Sequence, residues 1–174
     1  GINYISDNSA VFVLDAPYKD FVYVSGSFNN WEPDESYIMK KDPDSSKFWL
    51  VVDNLDSEID HTYQYWVVDL EPLANSPELV KTADPYSHIV LSPFDDPWIP
   101  ENSYPNLPIY PEGQEREVTL FNLSSIDYNW QVENFEKPKK EDLIIYEVLI
   151  RDFDSERTFQ NLIDKIDYFK NLNI

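Results

Sequence analysis

The sequence predicts a mainly β chain, a two-sheet sandwich followed after an irregular connector by one strand and one helix of a second fold. Three observations carry this expectation. From Ala10 to Val68 short β-branched and aromatic runs alternate with turn residues about every ten positions, a spacing that belongs to sandwiches rather than to βαβ units. Aromatic residues make up 16% and hydrophobic residues 42% of 174 positions, enough for a packed core and biased towards strand. At Leu143 the pattern changes to a near-continuous apolar run, and then to apolar residues at helical spacing.

The expected strands are Ala10 to Leu14, Phe21 to Ser25, Tyr37 to Lys40, Phe48 to Val52 and Thr62 to Val68. In the second, Val22 and Val24 alternate with Phe21, Tyr23 and Ser25, so one set faces the core and the other faces away. The turns between strands carry residues that pre-set or tolerate turn dihedrals: Ala16-Pro17, Asn29-Asn30, Asp42-Pro43-Asp44 and Asp53-Asn54. Leu70 to Leu79 loses periodicity and contains Pro72 and Pro77, so it reads as an irregular hairpin loop. His88 to Leu91 is the expected last strand of a sandwich spanning 1–92.

From Pro93 to Pro111 six prolines forbid helix and central strand alike, making 93–142 a connector. Phe94, Trp98, Ile99, Tyr104, Leu107 and Tyr110 make it too apolar for a free linker, so it is expected to lie along a domain surface. Within it, Glu117 to Leu123 is one more short strand candidate. Leu143 to Ile150 reads as a strand buried on both faces. Phe159, Leu162, Ile163, Ile166, Phe169 and Leu172 then form a helical stripe, with Thr158 as N-cap. A buried strand followed by an amphipathic helix is half of a βαβ unit, and Ile174 falls where the next parallel strand would begin. A complete α/β barrel needs about 250 residues, so none fits in this length.

Charge and chemistry narrow the partners. With 33 Asp and Glu against 13 Lys and Arg the net charge is -20, which repels nucleic-acid phosphate and anionic lipid. Neutral or cationic partners remain, and no nucleic acid is expected. The sequence contains no Cys, so disulfides, thiolate nucleophiles and Cys-based metal sites are absent. No apolar run approaches membrane length, so membrane insertion is not expected. His61 and His88 have no ligand partners at metal spacing, and the acidic runs Asp42 to Asp44 and Asp95-Asp96 lack ordered loop spacing; no metal or other cofactor is expected.

The most specific local feature is Ser25-Gly26-Ser27-Phe28-Asn29-Asn30-Trp31. Here Gly26 permits close backbone approach, Phe28 can enter the core, and the Asn pair turns the chain before Trp31. Together with His61-Thr62-Tyr63-Gln64-Tyr65-Trp66-Val67-Val68-Asp69 and Ala83-Asp84-Pro85-Tyr86, in that order, this resembles the family 48 carbohydrate-binding modules. These are immunoglobulin-like (early-set) sandwiches associated with starch and glycogen, found also in the regulatory β subunit of AMP-activated kinase. The resemblance implies a glucan platform of two Trp and one Lys, flat rings stacking on glucose and a cation bonding its hydroxyls. Trp31 matches the first Trp and follows Asn30; Gln64 stands where the Lys would be; and Lys81, or a neighbour in this lengthened loop, falls at the second Trp. The implied platform is incomplete, so α-glucan binding is expected to be weak, or the sandwich to be architectural.

The second resemblance lies in Lys137-Pro138, the run Leu143 to Phe153 with core Tyr146-Glu147-Val148-Leu149-Ile150-Arg151-Asp152-Phe153, and the helix Phe159 to Leu172. These look like the first barrel strand and helix of the α-amylase superfamily, glycoside hydrolase family 13, although that family often has His where Leu149 stands. The resemblance implies the N-terminal part of an enzyme acting on α-glucosidic bonds of starch, glycogen or pullulan. Its catalytic carboxylates would follow later barrel strands, so no catalytic residue is assigned in this chain. Glu147 and the Arg151-Asp152 pair read as structural. The rival is a non-catalytic glycogen-binding or regulatory module like the kinase β subunit, which has no barrel strand after its sandwich. The partners implied are the rest of the barrel and, through 143–174, a second copy. The tail is expected to pair Leu143 to Ile150 with a sandwich strand of its own or another chain and to bury Ile163, Ile166 and Phe169. An acidic, Cys-free composition leans towards a secreted or envelope location.

Overall fold

The computed structural model describes residues 1–124 and 129–174 and is mainly β, with two antiparallel sheets and few helices. The strands are β1 (Ile2–Ser6), β2 (Ser9–Asp15), β3 (Phe21–Gly26), β4 (Lys40–Lys41), β5 (Lys47–Val52), β6 (His61–Val68), β7 (Leu79–Thr82), β8 (Ile89–Leu91) and β9 (Val118–Phe121). One sheet runs β1-β2-β5-β4; the other runs β3-β6-β9-β8, with β7 beside the second half of β6.

Alternation sets what each strand buries. Ala10, Phe12 and Leu14 of β2 lie opposite Val52, Leu50 and Phe48 of β5, and all six are buried. Val22 and Val24 of β3 face Val67 and Tyr65 of β6. The two inner faces meet at Phe12, whose ring centroid is 4.8 Å from that of Tyr63, 5.7 Å from Phe121 and 5.8 Å from Phe28. Edge-to-face arrangement of Phe12 against Tyr63 and Phe121 adds to the area each ring buries. Phe28 enters this core as its position predicts, and Gly26 explains why the turn before it is possible. A Cβ at Gly26 would sit 2.5 Å from the Thr62 carbonyl oxygen and 2.9 Å from Tyr63 Cβ, so two backbones meet where no side chain fits.

Beneath the core lies a buried polar network centred on Asp84. One carboxylate oxygen accepts the hydroxyls of Tyr63 at 2.7 Å and Tyr65 at 2.9 Å, and the Gly1 nitrogen lies 3.4 Å from it. The other accepts the Tyr86 N–H at 2.8 Å, closing the Asp-Pro turn, while the Asp84 N–H donates to Thr119 Oγ1 at 2.7 Å. Burial pushes both phenols well above the ordinary tyrosine range, with the nearby carboxylate adding to it. The sign of the consequence is fixed. Below about pH 10 both tyrosines are protonated in folded and unfolded chains alike, and their contribution is complete. Above it the unfolded chain releases protons that the folded chain keeps, so stability falls as pH rises. Urea melts between pH 9 and 11.5 are expected to show this, with the limiting slope above pH 10 shallower by about 2.7 kcal/mol per pH unit in Tyr63→Phe/Tyr65→Phe, two groups at about 1.36 each.

Several expectations need correction. The sandwich does not close at 92: β9 inserts between β6 and β8, placing Thr119 opposite Tyr63 and Val118 opposite Leu91. The compact unit therefore comprises Gly1–Trp98 and, among the described residues, 108–124, while 99–107 and 129–174 form a second unit. All four residues of β9 are buried, which is why the strand forms after a proline-rich approach. Tyr37 to Lys40 is not one strand, because Asp34 caps a 3₁₀ turn over Glu35–Tyr37 and only Lys40–Lys41 joins β5. Strands β1 and β7 form where none was expected.

In the second unit the strand Leu143 to Ile150 is absent. Leu143 and Leu149 have extended dihedrals, yet no described residue forms a ladder with 143–149, and Ile150–Phe153 turns into a short helix, α1. An extended run becomes a strand only when neighbours take its N–H and C=O groups, and the described residues of the second unit contain no strand to do so. The expected helix is two, α2 (Phe159–Asp164) and α3 (Ile166–Asn171), interrupted at Lys165. Thr158 is the N-cap, its hydroxyl accepting the Asn161 N–H at 3.1 Å. Ile163 and Ile166 are exposed, whereas Phe169 stacks with Phe153 at 5.4 Å and meets Tyr146 edge-on at 5.5 Å. The Lys165 ammonium pairs with Asp154 and holds that carboxyl well below the usual range.

Candidate functional site

Four residues stand at or beside the positions of the implied, incomplete glucan platform: Asn30, Trp31, Gln64 and Lys81. The sequence folds the first two into a turn at the end of β3. Asn29 staples that turn, its Oδ1 accepting the Gly26 N–H at 2.8 Å and its Nδ2 donating to the Val24 carbonyl at 3.1 Å. The Trp31 N–H donates to the Gly26 carbonyl at 2.9 Å, and both Asn30 and Trp31 hold left-handed dihedrals. Asn30 is exposed and Trp31 is half-buried.

Gln64 lies elsewhere in function. It is fully buried, and its amide nitrogen donates to the carbonyls of Arg116 at 3.1 Å and Glu117 at 3.0 Å. Its register partner Ser25 is buried too. The segment leading into β9 therefore seals the position at which a sugar-bonding cation would be needed, and Gln64 holds that segment down instead. Sequence order cannot show this, since the contacts span more than fifty residues.

Lys81 is half-buried on β7 and pairs in register with Trp66 of β6. Its ammonium stands 4.2 Å from the centre of the Trp66 ring, a cation–π contact that covers one ring face. The Trp66 ring in turn donates from Nε1 to Gln64 Oε1 at 3.4 Å, a long contact.

These positions do not converge. Gly26, which anchors the Trp31 turn, pairs with Tyr63, while Lys81 pairs with Trp66 on the other edge of β6. Three residues along β6 and two strand spacings across it put the two backbone positions about 14 Å apart. Trp31 stands without the cation and second ring that the platform requires.

The remaining candidates fit structural work. Asp42 accepts the Asp44 N–H at 3.0 Å and the Ser45 hydroxyl at 2.8 Å, so its carboxylate closes a turn. His61 stacks on Phe121 and contacts the Asp56 carbonyl at 2.8 Å through Nε2. Arg151 bonds the adjacent Asp152 through two nitrogens at 3.0 and 3.1 Å; the pair is exposed and adds little stability.

Comparison with known proteins places the chain as follows. No family model matches it. A curated protein, malto-oligosyltrehalose trehalohydrolase of Saccharolobus solfataricus, is 36% identical over 95 residues, which is 55% of this chain and 15% of that protein. The chain is thus similar over about half of its own length to a small part of a much longer relative.

Proposed function

We propose that this chain is the N-terminal, non-catalytic region of an α-amylase-superfamily enzyme that cleaves or transfers α-glucosidic bonds. The sandwich is an early-set module of the family 48 type that braces the catalytic barrel and contributes at most weak glucan contact. The similarity to malto-oligosyltrehalose trehalohydrolase carries this reading. That relative's name makes maltooligosaccharides ending in trehalose the first substrates to try, ahead of starch, glycogen and pullulan. The resemblance of the sequence Tyr146 to Phe153 to a first barrel strand, although no strand forms over it in this chain, supports an enzyme over a free-standing glycogen-binding subunit, which needs no such segment. Burial of Gln64 and the cation over Trp66 favour bracing over sugar capture at the inherited platform.

Two assays test the role of the chain by itself. Incubated with amylopectin, pullulan or malto-oligosyltrehalose, it is expected to release no reducing sugar or trehalose above a no-protein control. Release abolished by changing an acidic residue of the chain would place catalysis here and overturn the reading. In an amylopectin affinity gel, migration is expected to be little retarded and unchanged by Trp31→Ala. With Gln64 buried and Lys81 held over Trp66, the Trp31 ring has no polar partner to add to the about 1 kcal/mol that stacking supplies beyond area burial, and that alone does not offset the entropy of association. Strong retardation lost in Trp31→Ala would establish the inherited site as functional.

A further inference from the structure

Between the turn joining β2 to β3 and the long loop joining β6 to β7 lies a groove of about 460 Å³, lined on one side by Tyr18, Lys19 and Asp20 and on the other by Asp69, Glu71 and Leu73. Its volume falls within the range of small-molecule sites. We propose that this groove is a saccharide subsite taking a neutral glucose ring of an α-glucan chain. Tyr18 is the stacking face, and the carboxylates of Asp20 and Glu71 accept sugar hydroxyls. The choice of an α-glucan, and of a neutral ligand over a cationic one, rests on the function proposed above; the groove itself supplies the ring and the hydrogen-bond acceptors.

The exposure of Tyr18 and the ties between the two loops support it. Tyr18 is 95% exposed, so both faces of a flat ring are available at the rim. The residue holds a left-handed conformation (φ 63°) after Pro17, where glycine or asparagine costs less, and five of the other seven described non-glycine residues with positive φ are asparagine. The two loops are stitched together before any ligand arrives. Lys19 Nζ pairs with Asp69 at 2.8 Å, the Leu70 N–H donates to Asp20 at 2.6 Å, the Asp20 N–H donates to the Val68 carbonyl at 3.0 Å, and Lys41 Nζ donates to the Lys19 carbonyl at 2.9 Å.

The charges select the ligand. Lys19 is the groove's cation and is already engaged by Asp69, and the net charge of -20 disfavours phosphate or carboxylate ligands. A divalent ion would need a cluster of oxygen ligands; Asp69 is committed to Lys19, and no metal-holding group of three acidic or His residues occurs among the described residues. Among the neutral and cationic ligands that remain, a flat ring beside hydrogen-bond acceptors is the combination that recognises a sugar's apolar face and its hydroxyl rim. This groove lies at the Phe21 end of β3 and the Trp31 turn at the Gly26 end, so the two are separated by the length of a six-residue strand, about 17 Å.

The test is a titration of the 15N-labelled 174-residue chain with maltoheptaose, followed by 1H–15N NMR. Shifts are expected at 17–20 and 69–76, with millimolar affinity, falling at least tenfold in Tyr18→Ala and retained in Tyr18→Phe and Trp31→Ala. Shifts confined to 26–31, shifts that survive Tyr18→Ala, or no shifts at all would overturn the proposal. So would cellohexaose matching maltoheptaose, which would remove α-glucan selection, or trilysine shifting the groove while maltoheptaose is silent, which would assign it to basic peptides. Hydrolysis of α-glucans by the longer enzyme is read separately, so loss of this subsite leaves that function standing.

Discussion

Replacing Asp84 by Ala is expected to destabilise the sandwich by about 4 kcal/mol, read as a lower urea midpoint with an unchanged denaturant slope. The carboxylate is buried and takes the hydroxyls of Tyr63 and Tyr65 together with the Tyr86 N–H. Each donor left buried without a partner costs about 1–3 kcal/mol, so loss of the hub exceeds the worth of any one bond. Asp84→Asn keeps a carbonyl oxygen in place and is expected to lose less than half as much. Tyr63→Phe/Tyr65→Phe in the Asp84→Ala background is expected to recover part of the loss, because the stranded hydroxyls are gone. A loss under 1 kcal/mol in Asp84→Ala would show that the network does not hold the sheets together.

Phe12→Ala carries a loss of similar size from a different cause. Phe12 is fully buried on the first sheet and touches Phe28, Tyr63 and Phe121 of the facing layer, so its ring is the main bridge between the two sheets. Truncation removes the transfer energy of the ring and leaves a cavity that its three aromatic neighbours cannot fill, at a cost of about 4 kcal/mol. Phe12→Leu refills most of that volume and is expected to cost about 1.5 kcal/mol. Thermal melts of the two variants check the ordering. Equal losses would mean that the site collapses and that packing there is not specific.

Much of the architecture was legible because the central strands carry clear local patterns bounded by Pro, Asn or Asp. β2 and β5 place every second residue in the core, β3 does so over 21–24, and β6 reads as an aromatic and β-branched run whose first five residues are all buried. β1 and β7 were not legible. Ile2–Ser6 is largely exposed and Leu79–Thr82 partly so, and both exist through pairing with a neighbour rather than through an internal apolar pattern. Val118–Phe121 was visible as a candidate, but nothing local says that it enters the sheet between β6 and β8. Only its burial on both faces does. Leu143 to Ile150 shows the converse: its composition demands a two-sided strand, and composition alone supplies no neighbour.

The site divides in the same way. The Gly26 to Trp31 turn was readable because its glycine and asparagines act within a few residues. The fate of Gln64 was not, since the Arg116 and Glu117 carbonyls that bind it lie far along the chain. Pro17 marked a turn at once, but that Tyr18 stands exposed over a groove depends on a loop fifty residues later, joined to it by Lys19 and Asp69.

The reading of this chain as part of an α-glucan enzyme is tested most directly on the protein encoded by the whole gene, purified and incubated with malto-oligosyltrehalose, maltoheptaose and pullulan, with cellohexaose as control. The account predicts trehalose or maltooligosaccharide products from at least one α-linked substrate, and none from cellohexaose. A folded, full-length protein that leaves every α-linked substrate intact, neither cleaving nor transferring a glucosyl unit, would contradict it.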